Sequence, residues 1–441
     1  MSDISQPGTT GTPTADRPGP GDPDAFARDD RGRYRVAITG IGVKTPAGCD
    51  VKTLFETVLA ATPVTAPVTN FDASDLPVRI ACEVRDFEPL AYVDRRTARR
   101  MDRVSQLGFA AAMDAFADAG SPEGDPARRA VVFGTGTGGA PTMGRQAIIH
   151  DREGADRVSA LMVPMLMPNA TGAHIAMELG WTGPNYSVSS ACASGTTAVG
   201  DGARLIRYGE ADTVLAGGGE NSVNPWAMAC FCRSGALSAR NDDPASASRP
   251  FDAHRDGYVM GEGSTFLVLE RLDRALARGA RIHGEVVGFG LSSDAHHLTA
   301  PRPDGAGAVA CMRRAIEDSG LAPDDIGHVN AHGTGTGLND AMEARALATA
   351  FPSGAPPVTS AKGVFGHLMG AAGAAEAALA TLSAAAGVVP PTANHESTDE
   401  GVDLDVVVGA PRNIGRRPVL SNSFGFGGHN ASLVLSPFDG H

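Results

Sequence analysis

Two kinds of hydrophobic pattern alternate along the chain. Short apolar runs of strand length close at glycine, and longer alanine-rich stretches space their polar residues at helical intervals. The first run is Arg35-Val36-Ala37-Ile38-Thr39-Gly40-Ile41-Gly42. The alternation that follows predicts an α/β fold. Residues 1–33 are rich in Pro, Gly, Asp, Ser and Thr, lack apolar spacing, and are expected to form a disordered leader.

The pattern also repeats. Residues 112–139 pass from an alanine-rich helix through a turn and a charged spacer into a strand, then Gly134-Thr135-Gly136-Thr137-Gly138. Residues 310–337 follow the same order and end in Gly333-Thr334-Gly335-Thr336-Gly337. A second echo links Ala216-Gly217-Gly218-Gly219-Glu220-Asn221 with Phe426-Gly427-Gly428-His429-Asn430-Ala431. Shared order argues for duplication over chance, with an N-terminal half at 34–283 and a C-terminal half at 284–441.

Composition narrows the classes. With 441 residues, 42% of them hydrophobic, the chain can bury a large core. Aromatics are 5%, so Ala, Val, Leu and Met must fill that core. A net charge of -13 argues against nucleic acid as partner. No signal peptide and no bilayer-length apolar run are present, so no membrane partner and a cytoplasmic location are expected. The six cysteines show neither CxxC nor zinc-ligand spacing, so reduced thiols and no metal site are expected.

Gly134-x-Gly136-x-x-Gly139 matches the dinucleotide fingerprint. No strand ending in an acid follows at the required distance, which disfavours a nucleotide-binding dehydrogenase. Cys192 is a better candidate. It lies where a β-prone run (186–190) meets a helical stretch beginning near Thr196. A helix N-terminus would favour thiolate and could hold an oxyanion. A buried structural thiol fits this segment equally well. His332, at the end of an apolar strand, and His367, before a small-residue helix, tip the balance by completing a constellation.

Together Ala191-Cys192-Ala193-Ser194-Gly195, His332-Gly333-Thr334-Gly335-Thr336, the stretch from Lys362 to His367-Leu368-Met369-Gly370-Ala371-Ala372-Gly373, and Asn422-Ser423-Phe424-Gly425-Phe426-Gly427-Gly428 resemble the β-ketoacyl-ACP synthases. The nearest likeness is to the synthase II type and the type II polyketide ketosynthases. The resemblance implies a thiolase fold, with duplicated halves in five α-β-α-β-α layers. It implies decarboxylative condensation of an acyl-cysteine with malonyl-ACP, in fatty acid or type II polyketide synthesis, specialised polyene pathways included. Cys192 would be the nucleophile, and His332, His367 and Lys362 would complete the catalytic set. Phe426 and Phe424 fall at the oxyanion and gating loop. Glu376 matches the partner of Lys362, and Asp340 and Glu343 match acids that hold the His332 loop. Thr299, Thr334 and Thr336 match the malonyl and pantetheine end, and Thr137 and Phe231 match the acyl tunnel. No cofactor is implied, since the carrier protein brings the phosphopantetheine.

Arg95, Arg96, Arg99, Arg100 and Arg103 recur at helical spacing and match the family's docking region for acidic acyl carrier protein. The other implied partner is a second copy, or a chain-length factor lacking the cysteine. A degradative thiolase would need a second reactive cysteine near the C-terminal glycine loop, where none occurs. A non-catalytic subunit is disfavoured by the intact Cys-His-His set. Gly337 stands where the family commonly has Pro, and His429 where it often has Thr.

Overall fold

The computed structural model describes residues 27–399 and 402–440. One half supplies strands β1 (Val36–Lys44), β2 (Arg129–Gly134), β3 (Asn185–Val188), β4 (Thr213–Glu220) and β5 (Gly263–Arg271). The other supplies β6 (Gly284–Ser293), β7 (His328–Asn330), β8 (Val358–Thr359), β9 (Val419–Gly425) and β10 (His429–Ser436). Across the first sheet the order is β3-β2-β4-β5-β1, and across the second β8-β7-β9-β10-β6. Each half therefore uses its strands in the order third, second, fourth, fifth, first. Each is parallel at its first two junctions and antiparallel at the next two. Among the described residues, only the pairs Ala37–Glu285 and Ile38–Gly284 join the two sheets.

Helices α1 (Arg103–Asp118), α2 (Ala140–Glu153), α3 (Ser194–Arg207) and α4 (Pro225–Ser234) belong to the first half. Helices α5 (Ala306–Ser319), α6 (Gly337–Ala350) and α7 (Ala372–Ala386) belong to the second. α3 and α7 pack on each other and on both sheets, while α1 covers one outer face and α5 with α6 the other. Five layers result. α7 is buried on nearly every side, as an alanine-rich helix without a polar face requires. The stretch Met369–Ala386 is apolar enough to cross a membrane by composition, but 83% of it is buried within the protein, which makes it an inner layer.

Glycine sets how closely the outer helices approach. A methyl at Gly40 or Gly42 of β1 would strike the carbonyl oxygens of Ala115 and Ala111 on α1. At Gly288 or Gly290 of β6 it would strike those of Ala315 and Cys311 on α5. The same device at the same strand position marks the two halves as copies.

Three boundaries are corrected. The strand expected at 186–190 is β3, Asn185–Val188. Of the expected leader, residues 1–26 lie outside the described residues, and residues 27–33 belong to the fold. Ala27 is buried, and Arg33 pairs with Asp29 at 2.7 Å and with Asp318 at 2.5 Å. The arginine run is not one helix. It forms a short turn at Arg95–Ala98, breaks, and restarts at Arg103, because Asp94 and Asp102 each cap a separate helix.

Candidate active site

Cys192 sits in a turn between β3 and α3. Ala191 is held at φ 51°, a costly value for a residue with a Cβ, and a 3-10 turn, Ala191–Ala193, leads into the helix. Ser194 braces this elbow, its Oγ accepting from Ser190 N at 2.9 Å and donating to Ala191 O at 2.7 Å. The end of β9 lies against it. A methyl at Gly425 would come within 2.6 Å of Ser190 O and 3.1 Å of Cys192 N. That approach brings the Phe426 N–H onto the Cys192 sulfur, beside the N–H of Cys192 itself. Cys192 keeps partial exposure to a cavity, but protein surrounds it otherwise. Burial pushes its thiol up to about 11, against the pull of the Phe426 N–H and Lys362. Desolvation thus opposes the thiolate that a helix terminus would favour.

His332 follows β7. Its N–H and that of Gly333 donate to the two oxygens of Glu343, each at 2.8 Å. Gly335 N donates to Asp340 at 3.1 Å, and Phe251 N donates to the same oxygen at 2.7 Å. These α6 carboxylates thus fix the loop, and burial pushes Glu343 up to about 7. His367 is held through its backbone, its N–H donating to Val259 O at 2.7 Å and its carbonyl accepting from Gly261 N at 2.9 Å. The two imidazoles meet edge to face, with centroids 5.4 Å apart at 85°. Phe424 packs on His332 at 5.9 Å and Tyr258 on His367 at 5.4 Å.

One ligand atom from each of Cys192, His332 and His367 falls within 4.8 Å of the others. His332 Nδ1 and both ring nitrogens of His367 have no hydrogen-bond partner among the described residues. Burial holds both rings well below the usual histidine range, and the Lys362 ammonium adds to this. Both are therefore neutral at physiological pH, each with one N–H to donate. Lys362 and Glu376, both fully buried, pair with each other. The three donors could also ligate a soft cation, but the buried ammonium beside them opposes a second positive charge.

A cavity of about 660 Å³ opens over this group. Thr137, Phe231, Thr299, Thr334, Thr336, Phe424 and Phe426 all line it. One expectation changes. Phe424 lies within β9, 7% exposed and packed on His332, so only Phe426, flanked by Gly425 and Gly427, has the freedom of a gate. Thr137, expected to serve the acyl tunnel, also commits its hydroxyl to the protein: its Oγ1 donates to Glu220 at 2.6 Å.

The sequence reading missed Glu220. It ends β4, is fully buried, and accepts from Gly136 N at 2.7 Å, Thr137 N at 3.1 Å and Gly370 N at 3.1 Å. An acid closing an apolar Gly-rich strand was the available signal. Of the arginines, Arg95, Arg96, Arg99 and Arg100 are exposed. Arg103 instead turns inward, with Nη2 2.8 Å from Glu262 and 2.7 Å from Val84 O, and is removed from the docking set.

Known proteins match this chain over most of its length. The family "Beta-ketoacyl synthase, N-terminal domain" matches residues 33–275, and its C-terminal counterpart matches 283–396. A 3-oxoacyl-[acyl-carrier-protein] synthase 2 from Synechocystis is 43% identical over 92% of this chain and 99% of its own. A chloroplastic 3-oxoacyl-[acyl-carrier-protein] synthase II from Arabidopsis thaliana is 40% identical over 92% of this chain and 76% of its own. Among solved structures, the ishigamide ketosynthase/chain length factor superposes with a TM-score of 0.86 at 37% identity, over 92% of this chain and 100% of that one. A type II polyketide ketosynthase in complex with its acyl-carrier protein gives 0.84 at 26%, over 92% and 100%. The chain belongs to the β-ketoacyl synthase family, thiolase-fold condensing enzymes of fatty acid or polyketide biosynthesis.

Proposed function

We propose that Cys192 carries the growing acyl chain and that His332 and His367 drive the decarboxylative condensation on it. The supporting observation is the convergence of these three side chains within 4.8 Å under a cavity, with the Phe426 N–H on the sulfur. Cys192 Sγ attacks the carbonyl of an acyl carrier thioester. The backbone N–H groups of Cys192 and Phe426 hold the oxyanion. The carrier thiol leaves with the proton, and the acyl chain stays on sulfur. Malonyl carrier protein then enters. Its C–CO2 bond breaks, and the electron pair passes to the thioester oxygen as an enolate. Two neutral imidazoles donate N–H groups to that oxygen without first surrendering a charge. The enolate carbon attacks the acyl-Cys192 carbonyl, the new C–C bond forms, and the Cys192 thiolate leaves and takes up one proton from solvent. Every electron is accounted for without a metal or organic cofactor.

The acyl groups arrive on carrier protein, for which exposed Arg95, Arg96, Arg99 and Arg100 offer a positive surface on an acidic enzyme. The working unit is a dimer. β3 is an edge strand, and Met143, Ile148, Met177 and Trp226 expose apolar surface on α2, α4 and the helix Ala170–Leu179. The mate is a second copy or a chain-length factor without the cysteine.

Intact mass spectrometry after incubation with acyl carrier substrates tests the assignment. Wild type should gain one acyl group and Cys192→Ala none; equal gain on both would remove Cys192 from the chemistry.

A further inference from the structure

Most hydroxyls lining the cavity are already committed to the protein. Thr137 Oγ1 donates to Glu220 at 2.6 Å, Ser222 Oγ to Gly261 O at 2.5 Å, and Ser234 Oγ to Phe231 O at 2.7 Å. Thr334 and Thr336 bond each other at 3.0 Å. Tyr258 differs. It is only 4% exposed, and its ring stands edge-on to Phe231 at 6.3 Å and to His367 at 5.4 Å. It lines the cavity, and its hydroxyl makes no hydrogen bond among the described residues, yet is not sealed from the cavity space.

We propose that Tyr258 selects acyl chains bearing an oxygen acceptor, a hydroxyl or carbonyl, within a few carbons of the thioester. This rests on the condensing reaction assigned to Cys192. The ring borders His367, whose ligand atom lies within 4.8 Å of that of Cys192, so the side chain stands at the thioester end of a bound chain. A chain filling the cavity displaces the water that solvates the phenol. A saturated chain then leaves a desolvated O–H facing methylenes, whereas an oxygenated chain accepts its hydrogen bond. Thr137, Ser222 and Ser234 set no such condition, because each already donates to a protein oxygen.

The test offers equal concentrations of octanoyl-, 3-hydroxyoctanoyl- and 2-octenoyl-pantetheine to full-length wild type and Tyr258→Phe. The acyl masses on Cys192 are read early, normalised to the fraction of Cys192 that iodoacetamide alkylates. Wild type should load the hydroxylated chain in excess over octanoyl. In the variant that ratio should fall by about tenfold, or about 1.4 kcal/mol. An unchanged ratio with both chains loading overturns the selection role. A change confined to the octenoyl chain overturns the oxygen acceptor. No adduct from any chain on wild type strikes instead at the acyl-Cys192 assignment beneath both.

Discussion

The two halves fold alike but were given different chemistry at matching positions. Aligning Gly134-Thr135-Gly136-Thr137-Gly138 with Gly333-Thr334-Gly335-Thr336-Gly337 sets Phe133 opposite His332. Phe133 is fully buried and stacks on Phe266 at 5.8 Å, while His332 Nδ1 has no hydrogen-bond partner among the described residues. The helix entries match as well. Ala191 and Met369 hold φ of 51° and 52°, each opens a 3-10 turn, and Cys192 in one faces Gly370 in the other. Where the first half presents a thiol, the second presents a bare N–H, which donates to Glu220. The buried carboxylates Glu220 and Glu343 each pin a glycine loop. The scaffold was thus kept twice, and the reactive groups were placed once, each in the half where its counterpart does structural work.

The sharpest way to break this comparison is to make the second half resemble the first. His332→Phe should lower condensation by about 10²–10³-fold, since it removes a donor to the enolate. Loading of Cys192, read by intact mass, should persist. Equal loss of loading and condensation would mean that His332 serves the thiol and not the enolate. The converse change concerns Gly370. In Gly370→Ala the methyl would come within 2.5 Å of both Glu220 Oε2 and Gly136 N. Overpacking of this kind costs about 1–3 kcal/mol, to be read from the urea unfolding midpoint. An unmoved midpoint would show that the elbow of the second half has slack.

Much of this was legible in the sequence, because strand runs, alanine-rich helices and glycine loops are local patterns. The loops carrying His332 and His367, and the elbow at Cys192, follow from such patterns. What was not legible depends on partners far along the chain. Glu220 is 84 residues from Gly136, and Arg103 is 159 residues from Glu262, so neither pairing leaves a periodic trace. The arginine run looked like one helical face because spacing does not show that Asp102 starts a new helix. The desolvation of Cys192 was hidden for a related reason: a helix N-terminus is visible in sequence, but the protein packed around a sulfur is not.

The starts of the matching strands differ too. The same alignment sets Arg129 of β2 opposite His328 of β7. Arg129 reaches Pro122 O at 2.7 Å and stacks toward Trp181 at 5.6 Å. His328 is 1% exposed, and neither ring nitrogen has a partner among the described residues. Burial pushes its pKa down to about 3, so the folded protein holds it neutral. Unfolding lets it take a proton below about pH 6.5. Its contribution to stability is therefore intact above that pH and is lost as pH falls toward 3, reaching up to about 4 kcal/mol. His328→Leu should flatten the fall in unfolding free energy between about pH 6.5 and 4. An identical pH profile in the variant would place the acid sensitivity in other groups.

The smallest effect belongs to the outer surface, where the halves need not match at all. Arg99 and Arg100 are exposed, and neither forms an ion pair among the described residues. Such charges accelerate encounter with an acidic partner more than they hold it. Arg99→Glu with Arg100→Glu should slow loading from acyl carrier protein by about threefold to tenfold at low salt, and less as ionic strength rises. Loading from acyl-pantetheine, which carries the same thioester without the acidic protein, should keep its rate. An equal fall on both substrates would mean that the arginines act through the fold, and the positive surface would lose its claim to the carrier.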